Sequence, residues 1–378
     1  MEEVVVIVGA GPSGIATSAC LNLFSIPNVV LEREDCCASI WKKKSYDRLK
    51  LHLAKQFCQL PHMPYSSDAP RFMSKEGFIE YLDAYVSHFR INPRYCRTVE
   101  SASYDGVVGK WRVEAKNTVS NEVEVYIGKF LVVATGENSE GIVPGLDSFG
   151  GEVMHSSHYK NGARYSGKNV LVVGCGNSGM EIAYDLANFG ARTSIVARSP
   201  VHVLTKELVF IGMLLLKFLP CNLVDTMILM LSKLKYGNLS KYGLQRPMKG
   251  PFYIKAKTGR SAVIDVGTME KIETGEIQVL PSISSIKGSD VGFANGKMQQ
   301  FDAIIFATGY KSTVQNWLTD GDDLFNEDGM PKLNYPDHWK GKNGLYCAGF
   351  ARKGLFGISA EAQNIANDIS KILSRAEN

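Results

Sequence analysis

The sequence predicts an α/β protein with two Rossmann-like dinucleotide-binding domains, the second of which is inserted into the first. A glycine-rich turn of the form G-x-G-x-x-G occurs twice, at 9–14 and at 174–179, each time between a buried strand and a helix. A buried strand that ends in Ala-Thr-Gly also occurs twice, at 134–136 and at 307–309. In proteins with two dinucleotide sites, such a junction is where the chain passes between the nucleotide-binding domains. The second glycine turn lies between the two junctions, so we place the second domain as an insertion.

The first glycine turn follows the β-branched run Val4–Val8, which is typical of a strand buried on both faces of a parallel sheet. Gly9 permits the tight turn, Gly11 lets a pyrophosphate approach the backbone, and Gly14 lets helix and strand pack closely. A helix and a second strand over 28–31 follow, and that strand ends in Glu32, 21 residues after Gly11. An ordinary glycine-rich βα turn is the alternative, but the flanking elements and the acid favour a dinucleotide site. The acid also favours a ribose with a free 2′-hydroxyl, as in FAD or NAD.

The second glycine turn repeats this pattern with one difference. A buried strand precedes it, and a helix and another strand follow. Arg198 stands 22 residues after Gly176, in the position that the acid occupies in the first unit, and Ser199 follows it. An acid would repel a 2′-phosphate, whereas arginine and serine can bind one, so the second site is predicted to prefer NADP. A solvated surface arginine is the alternative for Arg198.

Length and composition are those of an ordinary soluble globular protein with room for two domains. The chain has 378 residues, of which 45% are hydrophobic and 21% are charged. The net charge of +4 is too small to indicate nucleic-acid binding, and no block of Lys and Arg stands out. The eight cysteines form neither a C-x-x-C pair nor a zinc pattern, which predicts reduced thiols in a cytosolic protein and no metal site. We expect no signal or transit peptide, because the first strand begins at once.

The first domain is predicted to contain an amphipathic helix and a hairpin. The helix spans 74–89, with Ser74 as its N-cap and an apolar face that comprises Phe78, Tyr81, Leu82 and Tyr85. The runs 111–115 and 123–127 alternate in hydrophobicity as the exposed strands of a hairpin do, and a separate buried strand is expected over 130–134.

The apolar stretch 201–244 is predicted to be helical and to lie within the second domain. Its most apolar part, 208–219, is interrupted by Lys217 and stopped by Pro220, so it is too short for a bilayer span, which needs ~20 apolar residues. Three interpretations apply to it: core, the wall of a substrate tunnel, or a contact with a membrane surface. Core is the commonest outcome for such a composition.

Two nucleotide sites on one chain predict an oxidoreductase in which NADPH delivers hydride to a bound flavin. The flavin then passes electrons either to a C-x-x-C disulfide or to O₂. Since the C-x-x-C pair is missing and O₂ needs neither a protein nucleophile nor a metal, a monooxygenase is favoured. The predicted domains are an FAD-binding domain over 1–150 and 300–378, and an NADPH-binding domain over 151–299 with a helical insertion at about 201–250.

A motif just before the second glycine turn resembles one that identifies the flavin-containing monooxygenases. Phe149-x-Gly151-x-x-x-His155-x-x-x-Tyr159 matches the pattern F-x-G-x-x-x-H-x-x-x-[YF] of that family. More narrowly, the chain resembles the plant YUCCA flavin monooxygenases, and its short N-terminus is most similar to their seed-type members. The stretches that carry this resemblance are 41–52, 57–64, 134–138, 264–268, 306–312 and 348–354.

The resemblance implies the oxidative decarboxylation of indole-3-pyruvate, an aromatic 2-oxo acid, to indole-3-acetate, the main route to auxin. It implies that NADPH reduces FAD, that O₂ adds at flavin C4a, and that the resulting (hydro)peroxide attacks the 2-keto carbonyl before CO₂ leaves. An N-hydroxylating flavin monooxygenase that acts on an amine or amino acid is the alternative, because a few apolar pocket residues decide the substrate. A nucleotide-binding protein without turnover, such as a redox sensor, is a third interpretation.

The resemblance also implies site residues, position by position. FAD would be bound by Gly9, Gly11, Pro12, Ser13, Gly14, Glu32, Arg33, Trp41, Arg48, Leu49, His52, Thr135 and Gly136. NADPH would be bound by Gly174, Gly176, Asn177, Ser178, Gly179, Arg198 and Ser199, and the second junction would contact a cofactor through Ala307, Thr308 and Gly309. The candidate catalytic residues are His52, Asn138, Tyr159 and Lys311. An asparagine near the flavin of animal relatives is matched here by Leu51-His52-Leu53, which is consistent with a different peroxide chemistry.

The expected partners are the small-molecule substrate and O₂. Neither nucleic acid nor an obligate protein partner is expected. The expected location is cytoplasmic, and the apolar stretch 208–219 leaves open a peripheral contact with the cytosolic face of the endoplasmic reticulum.

Overall fold

The computed structural model describes residues 1–145 and 149–376 and divides the chain into two compact units. The first unit comprises Met1–Lys43, Ala54–Glu140 and Tyr310–Asn378, and the second comprises Lys44–Leu53 and Gly141–Gly309. Each unit contains one glycine turn. The predicted boundaries lie ten residues away, because the chain changes unit soon after each Ala-Thr-Gly junction. The sequence did not indicate that 44–53 belongs to the second unit.

The elements are numbered along the chain. The strands are β1 Glu2–Val8, β2 Asn28–Leu31, β3 Arg97–Asp105, β4 Lys110–Asn117, β5 Val123–Val133, β6 Glu140–Gly141, β7 Glu152–His155, β8 Asn169–Val173, β9 Arg192–Val196, β10 Val203–Leu204, β11 Val263–Ile264, β12 Ile277–Leu280, β13 Ile283–Lys287, β14 Asp290–Phe293, β15 Met298–Gln300, β16 Ala303–Phe306, β17 Tyr310–Lys311 and β18 Leu345–Cys347. The α-helices are α1 Pro12–Leu23, α2 Ser39–Lys43, α3 Lys75–His88, α4 Asn177–Asn188, α5 Lys206–Leu215, α6 Cys221–Tyr236, α7 Pro251–Thr258, α8 Thr268–Glu273 and α9 Leu355–Ala376.

The first unit is built on a sheet in the strand order β2-β1-β5-β4-β3, with β18 paired to β5. β1 is parallel to β2 and β5, and helix α1 packs on α9. β5 is one strand where two were predicted. Its first part pairs antiparallel with β4 and its second part pairs in parallel with β18. The prediction of exposed hairpin strands was wrong for β4, because Trp111, Val113 and Ala115 are buried in the core of this sheet.

The second unit is built on a parallel sheet in the order β12-β9-β8-β16-β7, and α4 packs against β8 and β9. Leu49 packs against the apolar core of this unit. Since each unit carries parallel strands, a glycine turn and the following helix, the predicted class of two Rossmann-like domains is confirmed.

The single helical stretch predicted over 201–244 is interrupted. The chain forms the short strand β10 and then the helices α5 and α6, which Pro220 separates. Val209, Val224 and Ile228 form an apolar cluster here, so the core interpretation holds for one face of the helices. Within the described ranges, no helix combines the length and the hydrophobicity that crossing a bilayer requires.

Candidate functional site

The first glycine of each turn packs against a junction strand of its own unit. Gly9 and Gly174 have φ angles of +108° and +112°, a left-handed conformation that favours glycine. A Cβ on Gly9 would lie 2.7 Å from the carbonyl oxygen of Ala134, and a Cβ on Gly174 would lie 2.5 Å from that of Ala307. Because these alanines begin the two Ala-Thr-Gly junctions, each junction is held against its glycine turn.

The other glycines of the two turns differ in the space around them. A Cβ on Gly14 or Gly179 would lie 1.9 Å or 1.8 Å from the carbonyl oxygen of the first glycine in its turn, so these positions admit no side chain. A Cβ on Gly11 or Gly176 would have no described atom within 4 Å. The residues that open α1 are Pro12, Ser13 and Gly14, and those that open α4 are Asn177, Ser178 and Gly179. Each turn therefore leaves room for an anion at a helix N-terminus, where backbone N–H groups and the helix dipole favour it.

A cavity of the first unit lies beside the first glycine turn. The predicted residues that line it are Gly9, Gly11, Pro12, Glu32, Arg33, Trp41 and Thr135. The lining also contains residues that sequence reasoning missed: Arg97, Thr98, Val99, Ser139, Thr313 and Trp317. The Thr135 hydroxyl is buried and has no hydrogen-bond partner among the described residues. A bound ligand could satisfy this hydroxyl, which is otherwise costly to leave unpaired.

The carboxylate of Glu32 is fixed at the end of β2. It is buried, and its two oxygens accept the backbone N–H groups of Ala10 at 2.7 Å and Glu34 at 3.0 Å. Burial raises the pKa of the Glu32 carboxyl, and the two N–H donors act against this shift. The acid is thus oriented by the first unit itself.

The corresponding position of the second unit has no anchored side chain. Arg198 is exposed at the end of β9 and forms no hydrogen bond or ion pair with any residue that the structure describes. The Asn177 side chain is committed, since it donates to the carbonyl oxygen of Ala262 at 3.1 Å and accepts the N–H of Ile264 at 2.8 Å. These two hydrogen bonds fix the orientation of the Asn177 side chain at the N-terminus of α4. The carbonyl oxygen of Ser199, next to Arg198, faces the Cys175 thiol at 3.9 Å.

Three side chains of segment 44–53 contact helix α4 of the second unit. The buried carboxylate of Glu181 accepts the Tyr46 hydroxyl at 2.5 Å, and its other oxygen lies 2.9 Å from Nε2 of His52. Burial and the Glu181 charge raise the pKa of Tyr46 well above its usual range. The Arg48 guanidinium lies 4.3 Å from the centre of the Tyr184 ring, and its Nη1 is buried without a partner among the described residues. The sequence predicts that Arg48 and His52 lie along the flavin; the structure attaches both to the unit with the second glycine turn.

The motif residues at 155 and 159 make polar contacts inside the second unit. His155 is buried, with Nε2 3.0 Å from the carbonyl oxygen of Gly309 and Nδ1 3.0 Å from the Ser157 hydroxyl. Burial lowers the pKa of His155. The buried Tyr159 hydroxyl donates to Asp185 at 2.7 Å, and burial together with that carboxylate raises the pKa of Tyr159. These contacts hold the second junction and helix α4 in place.

The remaining candidates lie near the ends of the junction strands. The Thr308 hydroxyl donates to the carbonyl oxygen of Ile142. Nζ of Lys311 lies 3.3 Å from the carboxylate of Glu140, and both side chains are more than half exposed. Asn138 is also exposed. The structure thus leaves Lys311 and Asn138 accessible to solvent, unlike Tyr159.

Sequence reasoning missed a buried acid–imidazole pair behind the first glycine turn. Glu361 on α9 accepts the backbone N–H groups of Gly349 at 3.0 Å and Phe350 at 3.1 Å, and it lies 2.6 Å from Nε2 of His338. A Cβ on Gly349 would lie 2.2 Å from the hydroxyl oxygen of Ser13. The pair therefore fixes a loop that packs against the first turn of α1, and no spacing in the sequence indicates it.

Known proteins share both the sequence pattern and the fold. Residues 2–320 match the family described as flavin-binding monooxygenase-like. The chain is 60% identical to the probable indole-3-pyruvate monooxygenase YUCCA10 of Arabidopsis thaliana over the full length of both chains. It is 48% identical to the indole-3-pyruvate monooxygenase YUCCA6 of the same plant, over 98% of this chain and 91% of that relative. Its fold is similar to that of a flavin-containing monooxygenase from Stenotrophomonas maltophilia, with a TM-score of 0.74 at 18% identity over 98% of this chain and 99% of the other.

Proposed function

The chain belongs to the flavin-binding monooxygenase-like family, and we propose that it is an indole-3-pyruvate monooxygenase that uses FAD, NADPH and O₂. The reaction converts indole-3-pyruvate, O₂, NADPH and a proton into indole-3-acetate, CO₂, NADP⁺ and water. Two observations together carry the proposal. One glycine turn is followed by an acid and the other by an arginine, and the chain is 60% identical to the probable indole-3-pyruvate monooxygenase YUCCA10.

The first unit fits FAD. Gly11 leaves room for a diphosphate at the N-terminus of α1, and Glu32 offers a fixed carboxylate to ribose hydroxyls. Thr135 lines the same cavity, and its hydroxyl has no partner in the described part of the chain. FAD, when bound, supplies the acceptance of hydride and the activation of O₂.

The second unit fits NADPH. Gly176 leaves room for its diphosphate at the N-terminus of α4, and the Arg198 guanidinium, which has no partner among the described residues, suits a 2′-phosphate. Nη1 of Arg48 is a second donor of this unit that no described residue satisfies. A phosphate or carboxylate group would satisfy it.

His52 is the residue to which we assign proton delivery. The reaction consumes one proton, and the Glu181 carboxylate beside Nε2 favours the tautomer that carries a proton there. Nδ1 is then the atom through which the imidazole exchanges a proton. Tyr46 and Glu181 act as positioning residues, because they hold the segment that carries His52 against α4. Lys311, Asn138 and Tyr159 remain candidates for catalytic roles.

Product analysis tests this function. The purified flavoprotein is incubated with NADPH, O₂ and indole-3-pyruvate, and indole-3-acetate and CO₂ are measured against a reaction without enzyme. We expect one equivalent of each product for each NADPH oxidised. NADPH oxidation that yields only hydrogen peroxide would contradict indole-3-pyruvate as the substrate but agree with the proposed cofactors. N-hydroxylation of amines or amino acids would then be assayed. If the protein binds both nucleotides but does not oxidise NADPH, the proposal that it is an enzyme is wrong.

We also place the enzyme in the cytoplasm, where it needs no obligate protein partner. Fractionation of plant cells tests this placement. Recovery in the cytosol, or on the endoplasmic reticulum in a form that a salt wash removes, is expected. Recovery inside an organelle would contradict it.

A further inference from the structure

Helix α6 of the second unit carries an apolar stripe that faces solvent. The members of this α6 stripe follow one another at helical spacing, and each is exposed: Leu223, Met227, Met230, Leu231 and Leu234. Phe218, just before the helix, has 82% of its surface exposed. The other side of the same helix, with Val224 and Ile228, is buried in an apolar cluster. The helix is therefore apolar on two sides, and the protein covers only one of them.

Basic side chains border the α6 stripe. Lys233 and Lys235 flank Leu234 in sequence, which places one on each side of the stripe, and they form no ion pair within the described part of the chain. Between residues 208 and 264 the sequence has nine Lys and Arg and a single acid, Asp225. That acid is buried, where it accepts two backbone N–H groups from the first turn of α7. The net charge of this segment is thus +8, whereas that of the whole chain is +4.

We propose that the α6 stripe docks the protein onto a membrane surface that contains anionic phospholipid. Helices that lie in a membrane interface bury an apolar face at the acyl boundary and keep lysines among the headgroups, as the α6 stripe and its two lysines are arranged to do. The anionic leaflet attracts each lysine and arginine near its surface. A second copy of the chain is a poorer occupant, because it would bring a second segment of +8 charge against the first. The proposal is independent of the substrate proposed above.

Vesicle sedimentation tests the proposal. The FAD-bound full-length protein is mixed with phosphatidylcholine vesicles that contain or lack phosphatidylserine, and the pelleted fraction is measured at low and high salt. We expect pelleting with the phosphatidylserine vesicles that weakens as salt screens the charges. Leu234→Glu should weaken binding about tenfold, since it places a carboxylate at the interface. Replacing Lys233 and Lys235 by alanine should weaken it about fivefold for each lysine.

A matched control introduces the same charge elsewhere. Val107 is 98% exposed on a hairpin turn of the first unit, so Val107→Glu should bind vesicles like the unmodified protein. Equal rates of NADPH oxidation in solution by Leu234→Glu and Val107→Glu would establish that both variants are folded. Equal vesicle binding by the two variants, or an unmodified protein that stays in the supernatant with both vesicles, would overturn the proposal. If the unmodified protein forms a dimer in solution and Leu234→Glu does not, the proposal is also overturned, because the α6 stripe then binds a second copy of the chain and not a membrane.

Discussion

The first and second glycine turns are nearly identical in backbone, yet the side chains at the equivalent position of the two units carry opposite charges. Glu32 follows β2 in the first unit, and Arg198 follows β9 in the second. In both turns a Cβ on the first or third glycine would meet a carbonyl oxygen, and a Cβ on the middle glycine would meet open space. Glu32 is buried and held by two N–H groups, whereas Arg198 is exposed and unpaired among the described residues. The turn therefore provides generic binding of a diphosphate, and the residue after the second strand selects the nucleotide. A pre-oriented buried acid suits a resident cofactor, and an exposed arginine suits a cofactor that arrives and leaves in each cycle.

Replacing the middle glycine of each turn should have the largest effect and should impair a different cofactor in each unit. Gly11→Ala should give a folded, colourless protein, because the added methyl meets no protein atom but occupies the space of the diphosphate. Gly176→Ala should keep its flavin and reduce it with NADPH at least about tenfold more slowly. Flavin absorbance after purification and stopped-flow reduction measure the two effects. A fully flavinated Gly11→Ala protein would refute the assignment of the first site.

Neutralising the acid tests whether its fixed carboxylate retains FAD. Glu32→Gln should raise the Kd of FAD about tenfold to hundredfold, because the amide replaces one acceptor oxygen by a donor that faces a backbone N–H. Titration of apoprotein with FAD, followed by flavin fluorescence, measures this. Glu34→Gln, which alters a neighbouring acid and leaves its backbone N–H in place, is the control and should bind FAD normally. An unchanged Kd for Glu32→Gln would remove the acid from the site.

Removing the arginine tests the other half of the comparison. Arg198→Ala should lower kcat/KM for NADPH about tenfold to hundredfold and leave that for NADH almost unchanged, since only NADPH carries the 2′-phosphate. Steady-state kinetics with each cofactor measure the ratio. Arg192→Ala, an exposed arginine at the start of the same strand, should leave the ratio unchanged. Equal losses with both cofactors would mean that Arg198 does not bind the phosphate.

Replacing Glu181, the buried acid of α4, should lower the free energy of unfolding more than replacing Arg198 or Arg192. Glu181→Gln weakens the contacts to Tyr46 and His52 at once, which should cost about 1–3 kcal/mol of the free energy of unfolding. Thermal unfolding of the holoprotein and the rate of proteolysis within 44–53 measure the change. Tyr46→Phe, which removes one of the two contacts, should have the smaller effect. Unchanged proteolysis in Glu181→Gln would show that other contacts hold this segment.

The smallest expected effect is a difference in the pH dependence of stability. Burial lowers the pKa of His155 below its ordinary value of 6.5, so the unfolded chain takes up a proton before the folded one as the pH falls through 6.5. Acidification therefore lowers the stability of the second unit at this residue, and His155→Gln should flatten the dependence. Burial raises the pKa of Glu32, which gives the first unit a contribution of the opposite sign above pH 4.5. Urea unfolding at pH 5 to 7 measures the slope, and an equal slope in His155→Gln would contradict the argument.

Elements with a local signal were predictable from the sequence. Helix α3 begins where Ser74 was predicted to cap it, and the hydroxyl of Ser74 accepts the N–H of Gly77 at 3.1 Å. Strand β2 spans the predicted 28–31. The four residues predicted for the apolar face of α3 are all buried. N-caps, apolar spacing and glycine turns involve residues a few positions apart, so the sequence alone displays them.

Contacts between distant residues were not predictable. Tyr46 and Glu181 are 135 residues apart, and no spacing rule connects them. The assignment of 44–53 to the second unit depends on that contact and on others like it. The cavity beside the first glycine turn is likewise lined by Arg97 and Trp317, which are 220 residues apart in the chain. The basic excess over 208–264 gives no motif in the sequence, because its residues are spaced apart and form no block.

The position of β18 and α9 has a consequence for how the chain is made. Both elements come last in the sequence, yet β18 lies in the sheet of the first unit and Glu361 on α9 fixes the loop at Gly349 beside Ser13. A ribosome synthesises the last strand of the second unit, β16, before either element. The nascent chain can therefore complete its second unit while the first still lacks a strand and a helix. Newly made protein should acquire its flavin only at the end of translation, when α9 has closed behind the first glycine turn.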